Sequence, residues 1–459
     1  MPNRLPQPAL SSQLLYVLIA GWLAATAAGC AGHSAKTADA RSALDQGAPQ
    51  QALASLNQQL GVESGEQLPS EIKPDQQLFV LDRATVQQAL GQYELSSRDL
   101  ETADKGIELL DFAHTTGDDL GKYLFSDDTG PYQAPPYEKL MINTINMMNY
   151  LARGDLSGGR VEARRFAVMQ KFIAESEDND QAFLAPGSYL AGFIFEKSRK
   201  TEEALLYYDD AVRGSEAFTR YKIFQDPICR LAAESPKRSP TIEATLSAAG
   251  DHAGPLGDDA DLLVIVNYGR VPAKKAERVP VGLALTMAAD FISPDDVTTA
   301  NRLAAQGLVT WVNFPTLGEP TGEWSTPTFI VDGRPQKLDG MLAVDQAARR
   351  AWASVQGIVV ASAITRMITR IVAGEVTRQV AGKGVLGSLL SLGTQVTMTA
   401  VDTPDTRSWS TLPARIAFGR VRLKAGTHQV QLAASGAHKA QQIDLKPGGW
   451  GVVMLTVLR

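Results

Sequence analysis

The side chains best suited to chemistry are two carboxylates, Glu138 and Glu162, each with polar neighbours. A pair of carboxylates is the equipment of glycoside hydrolysis, one as acid and the other as base or nucleophile. A carboxylate-dependent cell-wall hydrolase is therefore the enzymatic alternative for this chain. The other usual equipment is missing from the sequence. Its five histidines, His33, His114, His252, His428 and His438, are scattered without metal-ligand spacing. There is no Gly-x-Ser-x-Gly elbow, phosphate-binding glycine loop or Cys–His signature. No metal, cofactor or catalytic residue is expected, and binding is favoured over catalysis.

The same carboxylates also suit an interaction site. Ser126 to Glu138 carries Tyr132, Tyr137, Glu138 and two further acidic residues, with proline and glycine that preclude a continuous helix. Loops carry function more often than scaffolds do. Downstream, Glu162 and Arg165 are three apart and can pair on a helix, with Arg164 beside them. Tyr132, Tyr137, Glu138, Glu162, Arg164 and Arg165 are the expected partner-binding site. Asp405, Arg407 and Trp409 are expected at a junction between domains. A structural role competes for all nine. If the site is exposed, Glu138→Ala with Arg165→Ala weakens partner capture and leaves melting nearly unchanged.

These residues need elements to position them, and 459 residues suffice for two or three domains. The net charge is −6 and no basic patch stands out, so nucleic acid is not an expected partner. There are two cysteines. Cys229 reads as a small buried apolar group.

Cys30 has a different context. Arg4 and a polar stretch precede the apolar run Leu14 to Ala25, which is short for a membrane span. The run ends in Ala27-Ala28-Gly29-Cys30, the pattern of a bacterial lipobox, with Ala27 where leucine is commoner. Residues 1–29 read as a lipoprotein signal peptide and Cys30 as the lipidated residue, carrying acyl chains such as palmitate. The alternative is an ordinary secretory signal with an incidental cysteine. Several acyl chains anchor firmly. Ala31 is not the aspartate of inner-membrane retention, which favours the outer membrane, facing the periplasm. Residues 30–40 are expected to be a lipidated tether.

Residues 41–245 read as helical. Gly47, Gly91, Gly154 and Arg199 each precede a segment with a small residue at helical spacing, as where one helix of a hairpin turns into the next. The expectation is a tetratricopeptide-like array with irregular insertions; an unrelated helical bundle is the alternative. Residues 258–459 read as β-rich. Leu262 to Val266, Val309 to Pro315 and Thr328 to Val331 are strand-like. Arg420 to Leu458 reads as antiparallel strands with one wet face. Ala348, Trp352, Val355 and Val359 mark a helical insertion around 340–400. The arginines Arg366, Arg370 and Arg378 argue for a packed or partner-facing helix over a span. Residues 385–401 are uncharged and are left open between a mobile linker and a packed helix. The expected class is α+β: helical hairpins, then a β-sandwich-like domain with a helical insertion.

Several segments carry a resemblance. They include Leu81-Asp82-Arg83, Arg98-Asp99-Leu100, Tyr137-Glu138, Asn149-Tyr150-Leu151, Val161-Glu162-Ala163-Arg164-Arg165, Gly269-Arg270-Val271-Pro272 and Asp405-Thr406-Arg407-Ser408-Trp409. Together and in this order, the chain resembles a family of uncharacterised bacterial lipoproteins with tetratricopeptide-like helices. The resemblance implies an envelope location and this architecture, but no activity. Some relatives are encoded near lipoprotein activators of peptidoglycan synthases, which implies a cell-wall context. The functional expectation is a membrane-anchored scaffold or adaptor for an envelope protein. A structural part of a secretion or motility apparatus is the alternative.

Overall fold

The computed structural model describes residues 33–73, 76–112, 132, 134–174, 183–213, 222–249, 256–380 and 404–459. Cys30, His114, His252, most of the loop before Glu138 and residues 385–401 lie outside these.

The N-terminal part is a series of helical hairpins. They pair α2 (Ala38–Asp45) with α3 (Pro49–Leu60), α4 (Gln77–Ala89) with α5 (Tyr93–Phe112), and α6 (Pro136–Ala152) with α7 (Leu156–Ala174). Next come α8 (Leu184–Lys197) with α9 (Thr201–Arg213), and α10 (Lys222–Glu234) with α11 (Pro240–Ala248). A short α1 (His33–Lys36) precedes them. The first four turns fall where expected. Gly47, Gly91, Gly154 and Arg199 have φ of 70°, 75°, 72° and 59°. That left-handed conformation ends a helix, and glycine adopts it without strain. The α10–α11 hairpin was not anticipated. It has no such glycine, and its second helix instead starts at Ser239, whose hydroxyl accepts from the Ile242 N–H ahead of Pro240.

The first helices of the inner hairpins differ from the second. In α4 every residue from Gln77 to Gln88 is buried, and in α8 every residue from Leu184 to Glu196. A helix buried all round must be covered on both sides. One cover is the second helices. The other is a sheet in the order β10-β1-β7-β6, formed by β1 (Ala260–Tyr268), β6 (Asp339–Ala343), β7 (Arg415–Leu423) and β10 (Trp450–Val457). Helices α4 and α6 meet β10, α8 meets β6, and α10 meets β7. Helices and sheet share one apolar core, in which Leu263, Ile265, Phe418 and Met454 join Leu81, Met148 and Phe193. This face of the hairpins is thus filled by the chain itself.

Strand β1 is buried along nearly its whole length because its alternate residues serve two cores. Leu263 and Ile265 face the helices, while Leu262, Val264 and Val266 face a second sheet. That sheet runs β5-β4-β8-β9, from β4 (Thr328–Val331), β5 (Arg334–Gln336), β8 (Gly426–Ala434) and β9 (Ala437–Leu445). The α+β class and the sandwich are as expected. The pairing differs in two respects. Strand β7 pairs with β1 and β6 in the first sheet and not with β8, which pairs with β4 and β9. Strand β10 does not continue the β8–β9 antiparallel hairpin but crosses to the first sheet and pairs parallel with β1.

A third unit was not separated in the sequence. Strand β3 (Trp311–Leu317), expected in the sandwich, pairs only with β2 (Lys274–Pro280) in a two-stranded sheet. With α12 (Val281–Met287), α13 (Pro294–Ala305) and α14 (Val344–Val380) it encloses its own core, including Val312, Phe314, Val359 and Ile364. The segment Val344–Val372 of α14 is long and apolar enough to cross a bilayer, yet Val355, Val359, Ala363, Ile364 and Ile368 pack into this core.

Residues 33–40 are also not a free tether. They are mostly helical, with His33, Thr37 and Ala40 buried.

Candidate functional site: a buried polar junction

Loop residues 404–414, between α14 and β7, pass over the middle of α4 and the start of α6 and carry three of the predicted residues. Asp405 accepts from Arg407 Nε at 2.9 Å and Nη2 at 2.8 Å. The Arg407 guanidinium sits 6.0 Å from the Tyr132 ring centroid. The Trp409 N–H donates to Glu138 Oε1 at 3.2 Å, and the Tyr132 hydroxyl donates to Glu138 Oε2. Tyr137 stacks on Phe183 with centroids 5.1 Å apart. The loop also leans on α4, where Asp82 Oδ1 accepts from Ser410 Oγ at 3.2 Å and from the Thr411 N–H at 3.0 Å. Asp405, Arg407 and Trp409 thus lie where this loop meets the helical part, together with Tyr132, Tyr137 and Glu138.

This junction is closed to solvent. Glu138 is 1% exposed and Trp409 is fully buried. Burial pushes the Glu138 carboxyl above its ordinary range, more than the Tyr132 hydrogen bond and the Lys274 charge pull it down. Burial also pushes the Tyr132 and Tyr137 hydroxyls well up, and the Glu138 charge adds to both. Burial raises Asp405 too, but the Arg407 hydrogen bonds and the Lys274 charge outweigh it and hold that carboxyl down.

The other predicted residues lie elsewhere, which corrects the expectation of a single site. Glu162 accepts from Asn143 Nδ2 at 3.2 Å and from Arg165 Nη1 at 3.1 Å, within the α6–α7 hairpin. Arg165 also reaches Asp104 at 3.8 Å. Burial raises the Glu162 carboxyl, opposed by Arg165. Arg164 is exposed, with its guanidinium 5.9 Å from the Phe195 ring centroid. Of the six, Tyr132, Glu138 and Glu162 are buried and offer no surface to a partner. Neither glutamate is open to a polysaccharide.

Sequence reasoning missed a highly charged buried cluster. Arg420 on β7 donates to Glu196 Oε1 at 2.7 Å, to both Asp261 oxygens at 3.1 Å, and to the Tyr208 hydroxyl at 3.0 Å. Lys197 joins Glu196 at 2.7 Å and Asp261 at 2.6 Å, and Arg230 joins Glu196 at 2.5 Å. The cluster straddles the seam between α8, α10 and the sheet. Its sequence signal was a Glu-Lys pair ending the apolar run of α8. Two smaller networks do similar work. Arg83 grips Asp99 at 2.6 and 3.1 Å between α4 and α5. Gln88 joins Asn149, Asn267 and Thr456 at 2.8, 3.1 and 3.1 Å, linking α4 and α6 to β1 and β10.

Large apolar side chains are exposed on the third unit at Leu283, Phe291, Leu308, Trp311 and Val372, and on the helical part at Val161, Val168 and Leu206. A groove of about 530 Å³ runs along α14, lined by Phe291, Ile358, Ala361, Thr365, Arg366 and Arg370 among others. Among the described residues no cluster of His, Cys, Asp and Glu is arranged to hold a metal ion.

No family model, no curated protein and no solved structure matches this chain.

Proposed function

We propose that the chain is a lipid-anchored envelope protein, facing the periplasm from the outer membrane, that serves as a scaffold or adaptor in a cell-wall or envelope assembly. The anchor rests on the lipobox ending at Cys30 and on the resemblance to bacterial lipoproteins. The observation that carries the scaffold role is the distribution of exposed apolar surface. The helical face that a partner segment would use is covered by the sheet, whereas the third unit keeps Leu283, Phe291, Trp311 and Val372 in solvent beside the α14 groove. Apolar patches rimmed by polar groups mark interaction surfaces. The partner surface therefore lies on the third unit and not at Tyr132, Glu138 and Glu162.

The test has two arms. Cys30→Ser is expected to move the protein from the membrane to the soluble periplasmic fraction. A photo-crosslinking residue at Phe291 is expected to trap a defined envelope protein, and the same residue at exposed Lys36 is not. Equal and indiscriminate trapping at both positions contradicts the scaffold reading.

A further inference from the structure

We propose that the lipid-bearing end is latched to the body through buried His33 and Asp82, so that the anchored protein lies with the exposed face of α1 (Ala35 and Lys36) against the bilayer surface instead of floating on a tether. This inference rests on the reading of Cys30 as the lipidated residue.

Cys30 precedes His33 by three positions. His33 is held fast: its Nε2 is 3.2 Å from Asp82 Oδ2, and its ring lies 4.7 Å from that of Phe79. It is 7% exposed. The chain after it is fixed as well. The Thr37 N–H and hydroxyl both donate to the His33 carbonyl at 3.0 Å, and Thr37 and Ala40 are buried. At the far end of α2, Arg270 from the β part donates to the Arg41 carbonyl at 3.1 Å and pairs with Asp45. Helix α2 is thus clamped between the helical and β parts.

The reach of the anchor follows. Three residues span at most about 10 Å when fully extended. A flexible tether over residues 30–40 would instead have a root-mean-square reach of roughly 16–19 Å. The latched geometry leaves His33 no farther than the short span from the acylated residue, and the occupant of the surface around it is the phospholipid bilayer. Asp82 makes the latch more than a local contact. One carboxylate oxygen holds His33 and the other holds Ser410 and Thr411 of the junction loop. Anchor position and the helix–sheet junction share that side chain.

The acylated full chain in phosphatidylethanolamine/phosphatidylglycerol vesicles tests this. A donor dye at Gln46→Cys, an exposed site after α2, reports transfer to an acceptor lipid; Cys229 is buried. A twelve-residue Gly-Ser insert between Ala31 and Gly32 leaves every contact of the body in place. The insert is expected to lower transfer efficiency at least twofold, and His33→Ala is expected to lower it in the same direction. Equal transfer with and without the insert, in protein shown by mass to be acylated, overturns the latch. Absence of acyl mass at Cys30 overturns the anchor reading and the latch with it.

Discussion

Arg420 Nη2 on β7 donates to Glu196 Oε1 on α8 at 2.7 Å, across the seam where the helical hairpins meet the sheet. Both side chains are almost wholly buried. Removing one partner from a buried ion cluster strands the charges left behind. Arg420→Ala should therefore cost about 3–5 kcal/mol, read as a lower midpoint in equilibrium denaturation. Little change in midpoint would mean that water already solvates the cluster.

The same cluster sets an acid sensitivity. Burial raises Asp261, but Arg420 and Lys197 outweigh it and hold the carboxyl down to about 2. Glu196 is held well below its ordinary value, its burial outweighed by Arg420, Lys197 and Arg230. Both folded values lie below the unfolded values of roughly 4. Their contribution is thus complete above the unfolded values and is lost as pH falls towards the folded ones. The stability gap between the native chain and Arg420→Ala should stay constant from neutrality down to about pH 5 and shrink from there towards about pH 2. A gap that stays constant on acidification would contradict the assignment.

Glu138→Ala is expected to destabilise the chain and not merely weaken partner capture. It removes the acceptor for the buried Trp409 N–H and the Tyr132 hydroxyl. Orphaned buried donors cost about 1–3 kcal/mol each. Thermal melting of Glu138→Ala beside Arg164→Ala makes the contrast: the first should melt well below the native chain, the second close to it. Equal melting would return Glu138 to the surface role expected from sequence.

Gly192 on α8 lets α9 approach closely. A Cβ there would lie 2.7 Å from the Tyr208 ring, and that ring's hydroxyl is held by Glu196 at 2.7 Å. Gly192→Ala should cost about 1–3 kcal/mol by overpacking. A neutral effect in denaturant melts would show that Tyr208 can move without losing its partner.

The hairpin turns were legible because a left-handed residue between two helices leaves a local trace, even at Arg199 where no glycine stands. The α10–α11 hairpin lacked that trace, and a proline, Pro227, stands inside α10. Strand β1 was legible as an apolar run, but its parallel partner β10 is far along the chain, and such pairing leaves no local pattern. Strand β3 reads like any half-buried strand, and only its packing against α14 assigns it to the third unit. The polar residues singled out at the start are organised, as their types suggested. What residue type alone did not reveal was burial: Tyr132, Glu138 and Trp409 face one another inside the molecule because residues 404–414 return to the helical part from far along the chain.

The central claim is that helices and sheet form one cooperative core. Native-state amide hydrogen exchange tests it most directly, comparing Leu81 to Thr85 of α4 with Leu263 to Ile265 of β1 in the native chain and in Arg420→Ala. The account predicts one shared opening free energy for the two segments, lowered equally in the variant. Protection that falls in the strand while the helix keeps its native value would show two independent bodies and contradict the account.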